Sequence, residues 1–306
     1  MRRIFVIIAA TVILINVISC DRLSHYERSV TFTVFNNLTD DSYILSNNKS
    51  IAEYICDPNG KFAFVIHGWE EHINSLWVKD TIRNLTFHRG GCVIFMDYNR
   101  FSTADYFLLT THFYRLADLL VRKIKLVTTK YENVFMFGFS FGARLCFEAG
   151  SKIGYQLIDT IHGCDPPGPG FDHIFRTTDP KRAAKNVYCI NTSIDKGTNF
   201  YNCHVNFRMG VCGRKQIGAA RKPFGSHGLC PFFYNSAFDN DFISDNFYNC
   251  TSNRMATNIP KDFKMGYMEN RRGVYGDVFI PTSRYHPWNV VGGKSTVDDL
   301  QLTDFQ

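Results

Sequence analysis

The sequence predicts an α/β fold built on a mainly parallel sheet, and three observations point to it. Short apolar runs such as Phe62–Ile66 and Cys92–Met96 have strand length and no polar alternation, as strands covered on both faces require. Segments with helical spacing of apolar residues lie between them. One strand-like run, Val134–Phe137, leads through Gly138-Phe139-Ser140-Phe141-Gly142 directly into a helical stretch. Strands alternating with helices imply right-handed crossovers and a parallel sheet, whose functional sites gather at the C-terminal strand ends.

Taken in order, residues 30–35 alternate weakly and are expected as an edge strand. Lys61–Gly68 is a buried strand ending in glycine, Ser75–Phe87 a helix, and Cys92–Tyr98 a second buried strand. Between Thr111 and Tyr131, Phe113, Leu116, Leu120, Ile124 and Val127 recur at helical spacing and predict one helix. Asp159–Cys164 and Asn186–Asn191 are further short strands. There is no linker, internal repeat or low-complexity tract, so residues 21–306 are expected to form a single domain.

The first twenty residues have another role. Arg2 and Arg3 precede a nearly unbroken apolar run, Ile4–Ile18, followed by the small residues Ser19 and Cys20. This is the layout of a secretory signal peptide, and the run is short for a membrane span of about 20 residues. No later stretch has the length and apolarity of a membrane anchor, so a secreted, extracellular chain is expected. The ten cysteines fit that compartment as disulfides. Cys203–Cys212, Cys230–Cys250 and Cys56–Cys92 are the pairs suggested by position, with Cys146 and Cys164 read as buried thiols. Asn37, Asn48 and Asn84 head the better glycosylation sequons, with Asn191 and Asn249 as poorer matches. The net charge of +6 forms no basic stripe. With no zinc spacing and no basic helix, nothing supports nucleic-acid binding, a metal or a cofactor.

The pentapeptide around Ser140 carries the chemistry. A serine between two glycines, after a strand and before a helix, sits on a turn too tight for flanking Cβ atoms. Its hydroxyl is presented at the top of the sheet, in front of a helix N-terminus that favours developing negative charge. A nucleophilic serine needs a base and an orienting acid. Asp165 follows a strand-like run and opens a rigid turn, Asp165-Pro166-Pro167-Gly168-Pro169-Gly170, with Asp159 and Asp172 as local competitors. For the base, His173, His204, His227 and His286 follow Asp165. His227, flanked by Gly225 and Gly228 and close to Cys230, has the setting of a tethered catalytic loop, and the residues alone leave the other three open. The N–H of Phe141, next after the serine, is one oxyanion donor, and the His67-Gly68-Trp69 strand end is the candidate for the second.

Four motifs now stand in order: Phe64–Trp69, Gly138–Ala143, Cys164–Phe171 and Gly225–His227. Together they resemble the pancreatic lipase family of α/β-hydrolases, with Val93–Tyr98, and Met265–Tyr267 together with Gly276–Thr282, as weaker extensions. The resemblance implies an acyl-serine mechanism with Ser140 as nucleophile, Asp165 as acid and His227 as base. It implies the backbone N–H groups of Trp69 and Phe141 as the oxyanion hole. Phe139 and Phe141 depart from the usual His and Leu of the family, and Gly225 stands where it usually has Cys. Only Gly213 to Gly225 is available for a lid, and no C-terminal β-sandwich is expected. These features resemble the phospholipase A1 members of insect and venom type, which implies a monomer working on phospholipid at a membrane or micelle surface. A short lid predicts an open, wetter cleft around Ser140. A neutral-lipid or galactolipid lipase or a carboxylesterase is the rival enzyme, and a non-catalytic lipid-binding or yolk-type relative is the rival of another class.

Overall fold

The computed structural model describes residues 25–36, 41–174, 178–219, 225–244 and 250–290. The expected signal peptide, Asn37 and Asn249 lie outside the described residues.

Nine strands form one sheet among the described residues. They are β1 (Thr31–Asn36), β2 (Ser42–Ile44), β3 (Phe62–Ile66), β4 (Cys92–Asp97), β5 (Val134–Phe139), β6 (Ile158–Cys164), β7 (Ala184–Asn191), β8 (Val205–Met209) and β11 (Gly276–Ile280). The spatial order is β11-β8-β7-β6-β5-β3-β4-β1-β2. From β4 to β11 every pairing is parallel, and β1 runs antiparallel to both β4 and β2. Two short strands, β9 (Phe242–Ile243) and β10 (Lys264–Met265), pair with each other apart from it. This is the α/β-hydrolase architecture. Among the described residues no β-sandwich follows β11.

The both-face apolarity of β3 explains its place. Phe62, Phe64 and Ile66 pack into one core, and Ala63 and Val65 into the other. Helices α3 (Phe113–Val127) and α4 (Phe141–Ile153) cover the first face, and α1 (Leu76–His88) and α5 (Cys230–Ser236) the second. Leu116, Leu119, Leu120 and Ile124 are fully buried in α3, each contributing about 1.5–3 kcal/mol relative to an exposed side chain.

Three local expectations change. Strand β1 is not at the edge, because the three-residue β2 covers it. The helix expected between Thr111 and Tyr131 is α3, which is shorter at both ends and follows a separate short helix, α2 (Tyr106–Thr111). It stops at Val127, where Thr128 turns extended and donates its hydroxyl to Pro58 O. The disulfides are Cys56–Cys92, Cys164–Cys230, Cys189–Cys203 and Cys212–Cys250, with Cys146 a buried thiol. The pairs Cys203–Cys212 and Cys230–Cys250 are therefore corrected, and Cys164 is not a thiol. Strand ends, not closeness in sequence, decide which sulfurs meet.

Candidate active site

The turn after β5 has the geometry its glycines demand. Ser140 has φ +52° and ψ −122°, a conformation that side chains seldom adopt. A Cβ on Gly138 would stand 2.5 Å from the backbone of Gly142, and one on Gly142 would stand 2.3 Å from Ile66 O. Any other residue at either position forces β5, α4 and β3 apart. The Ser140 N–H donates to Cys164 O at 2.8 Å, which ties the turn to the end of β6.

Asp165 is the next residue beyond β6 and is wholly buried. Its N–H donates to Ile190 O at 2.7 Å. Oδ1 accepts from the N–H groups of Thr192 and Ser193 at 2.7 and 3.2 Å, and Oδ2 accepts from Ser193 Oγ at 2.5 Å. These donors satisfy a buried carboxylate in its charged form. The two competing aspartates are engaged elsewhere. Asp172 pairs with Arg144 at 3.2 Å, and Asp159 is hydrogen-bonded to the Thr160 hydroxyl.

His227 lies in a single helical turn, Gly225–Gly228. Its Nδ1 is 2.6 Å from Asp165 Oδ2 and its Nε2 is 2.9 Å from Ser140 Oγ. With a carboxylate on one nitrogen, the assigned tautomer is Nδ1–H, which leaves Nε2 to accept from the serine. Three side chains far apart in sequence thus form one hydrogen-bonded chain. The other histidines stay outside it. His173 packs on Phe200, His286 on Trp288, and His204 accepts from Val187 N–H, where burial first and nearby cations second pull its pKa down to about 4.

The β3 end lies against the serine. A Cβ on Gly68 would be 3.0 Å from Ser140 Cβ. The Gly68 N–H donates to Glu71 Oε2 at 3.0 Å, and the Trp77 indole donates to Glu71 Oε1 at 2.6 Å. Trp69 is fixed through its own indole to Ala104 O at 2.8 Å. Phe141 is the first residue of α4, so its backbone lies in the helix's N-terminal turn beside Ser140. His67 is the packed residue that its position at a strand end allows: it is fully buried and stacks on Tyr98 at 4.0 Å.

A cavity of about 220 Å³ opens at Ser140 and His227, with walls of Trp69, Tyr106, Phe139, Pro167 and Pro169. The two phenylalanines that depart from the family pattern divide the work. Phe139 lines this cavity and packs on the His227 ring at 4.9 Å, whereas Phe141 is buried among Phe113, Phe171 and Tyr98. Ser140 is only 5% exposed. The cleft is therefore narrower and more apolar than the short Gly213 to Gly225 segment predicts. The described part of that segment folds away: Gln216 is buried and donates to Thr192 O and Met209 O at 3.0 and 2.9 Å.

Glu71 and Ser193 are the site-supporting residues that sequence reading passes over. Glu71 had a signal in its two-residue distance from Trp69; Ser193 had none, since only the fold brings it to Asp165. Among the described residues no group of His, Cys, Asp or Glu side chains converges as metal ligands, and no helix is long and apolar enough to cross a membrane.

A family model described as Lipase matches residues 11–210. The chain is similar to pancreatic lipase-related protein 2 of Cavia porcellus, 26% identical over 148 residues, which cover 46% of this chain and 34% of the relative. It thus spans about a third (34%) of the length of that curated relative. Among solved structures it is similar to Est1E from Butyrivibrio proteoclasticus, with a TM-score of 0.31, 15% identity and coverage of 44% of this chain and 68% of that one. It is also similar to mouse alpha/beta hydrolase domain-containing protein 10, with a TM-score of 0.31, 13% identity and 46% of each chain covered.

Proposed function

Since the chain belongs to the lipase family, we propose that it is a secreted serine hydrolase that cleaves the sn-1 acyl ester of phospholipids, a phospholipase A1. The observation that carries the reading is the hydrogen-bonded chain from Ser140 Oγ through His227 to Asp165, at 2.9 and 2.6 Å.

In this mechanism Ser140 Oγ attacks the sn-1 carbonyl carbon while His227 Nε2 takes its proton. Asp165 holds the Nδ1–H tautomer and stabilises the imidazolium, without being protonated itself. The carbonyl oxygen becomes an oxyanion, which the N–H groups of Trp69 and Phe141 stabilise at the α4 N-terminus. The imidazolium then gives its proton to the glycerol oxygen as the C–O bond breaks, releasing a lysophospholipid. Water, deprotonated by His227, attacks the acyl-serine and frees the fatty acid. Every step uses side chains and backbone N–H groups of this chain with water as the second acceptor, and none needs a metal or cofactor.

Secretion after removal of residues 1–20 accords with four disulfides. Asn48 is exposed and Asn84 half-buried, so Asn48 is the more accessible glycan acceptor, whereas Asn191 is buried. The enzyme acts as a monomer at a membrane or micelle surface. The apolar cavity wall favours a second reading, a neutral-lipid lipase with the same triad. One experiment separates them: wild type and Ser140→Ala are assayed on phospholipid labelled separately at sn-1 and sn-2, and on triolein. Release from sn-1 by wild type alone is expected. Preference for triolein overturns the phospholipid reading, and equal release by both proteins overturns the enzyme.

A further inference from the structure

The hydrogen bonds around His67 fix one peptide group beside Ser140. His67 Nε2 accepts from Tyr98 N–H at 3.1 Å, so the assigned tautomer carries its proton on Nδ1. That Nδ1–H donates to Gly68 O at 2.7 Å. Asp97 Oδ1 stands 3.5 Å from Nε2, long for a hydrogen bond, and accepts from Asn99 N–H at 2.9 Å instead. The ring has no room to turn over: it is fully buried and lies flat on Tyr98, with 4.0 Å between centroids and 9° between planes. The Tyr98 hydroxyl donates to His67 O, which holds the residue from its backbone side as well.

Gly68 O belongs to the peptide that links Gly68 to Trp69. That peptide is trans, so its N–H points away from the carbonyl that His67 holds. The Trp69 N–H has no hydrogen-bond partner among the described residues. A Cβ on Gly68 would be 3.0 Å from Ser140 Cβ, which puts this peptide against the serine. We propose that His67 is a positioning residue for the oxyanion hole. By holding Gly68 O, its Nδ1–H sets the plane of the Gly68–Trp69 peptide and keeps the Trp69 N–H in place for the oxyanion. This rests on the serine-hydrolase reading above, with Trp69 as a donor. A donor fixed in advance needs no reorganisation as charge forms. A hydrogen bond to the carbonyl also polarises the peptide and strengthens its N–H as a donor. His67 does this without touching substrate or exchanging a proton.

The test sorts substitutions by which nitrogen they keep. The amide nitrogen of Asn lies where Nδ1 does, and that of Gln reaches toward Nε2. His67→Asn therefore retains the donor to Gly68 O, and His67→Gln does not. The quantities read are kcat and KM on a short-chain p-nitrophenyl ester, per active site titrated with a fluorophosphonate. Beside them stands Ki for a trifluoromethyl ketone, whose adduct with the serine bears the same oxyanion. His67→Gln and His67→Leu are expected to lower kcat about thirtyfold and to raise Ki by a like factor, with KM within about twofold. His67→Asn is expected to stay within about fivefold of wild type in both kcat and Ki. All three lose the ring that packs on Tyr98, so melting temperature falls in each and does not separate them. Equal losses in His67→Asn and His67→Gln, or a fall in kcat with Ki unchanged, overturn the clamp and leave the serine mechanism standing. A Ser140→Ala protein that remains active overturns the reading beneath it. Where the variants are not secreted, nitrogen NMR of the wild-type imidazoles decides: a proton on His67 Nδ1 is expected, and one on Nε2 overturns the clamp.

Discussion

Cys164 and Cys230 form a disulfide that brackets the contact between Asp165 and His227. Cys164 is the residue before Asp165, and Cys230 stands three residues after His227. The bond thus fixes the end of β6 to the start of α5, across the 2.6 Å contact between His227 and Asp165. It takes the place of a tether through Gly225, the position where the family usually has cysteine.

Replacing both sulfurs, as Cys164→Ala with Cys230→Ala, is expected to cost about 4 kcal/mol of stability for a closed loop of 66 residues. It is also expected to lower kcat more than it raises KM, because the His–Asp distance loosens while the cavity walls remain. Thermal melts and steady-state kinetics check this, with Cys56→Ala and Cys92→Ala together as the comparison. That second disulfide lies away from the triad, and its loss is expected to lower stability with a much smaller effect on kcat.

Glu71 accepts from two donors at once, Gly68 N–H and the Trp77 indole. Gln can accept only one of these and turns an amide N–H toward the other. Glu71→Gln is therefore expected to cost about 1–3 kcal/mol and to lower kcat about tenfold by displacing the Trp69 loop. Burial pushes the Glu71 pKa up, against the lowering effect of its hydrogen bonds to Trp77 and Gly68. A raised folded value means that the stability this group contributes is full below the ordinary carboxylate range and declines as pH rises through the folded value. The gap in melting temperature between wild type and Glu71→Gln should accordingly narrow from about pH 4 toward neutrality, which a pH series of melts measures.

Arg144 is buried and Asp172 half-buried, and Arg144 also donates to Pro167 O at 2.8 Å. This pair holds the Pro/Gly turn that follows Asp165. Arg144→Met strands the Asp172 charge in a low-dielectric setting and is expected to cost about 3–5 kcal/mol. Denaturant melts check it.

At the elbow, Gly142→Ala meets Ile66 O at 2.3 Å. It is expected to destabilise by about 3 kcal/mol or more, with loss of activity. Gly90→Ala, where a Cβ has open space but φ is +71°, is the milder control. Secreted yield and melting temperature separate the two.

The central strands were legible because β3, β4 and β5 are apolar on both faces, a pattern few other elements produce. Strand β8 was not, since Asn206 and Arg208 interrupt it. Both pair with the buried Asp277 of β11, a partner 71 residues from Asn206. Ser140 and Asp165 were legible from local turns. His227 was one of four histidines until the resemblance singled it out, because a base is chosen by tertiary distance alone. Cys56–Cys92 was read from both residues preceding predicted strands, and those strands are parallel neighbours; the pairs Cys203–Cys212 and Cys230–Cys250 were read from nearness along the chain. Nearness failed where the partner lay across the sheet end. The narrowness of the cleft was also illegible: Phe139 and the two prolines that close it come from two segments well apart in sequence.

The most direct measurement is the site of covalent capture by a fluorophosphonate, mapped by mass spectrometry on the purified secreted protein. One adduct on Ser140 is predicted, formed much more slowly in His227→Ala. Rapid adduct formation elsewhere, with Ser140 unmodified and esterase activity lost, would contradict Ser140 as the nucleophile.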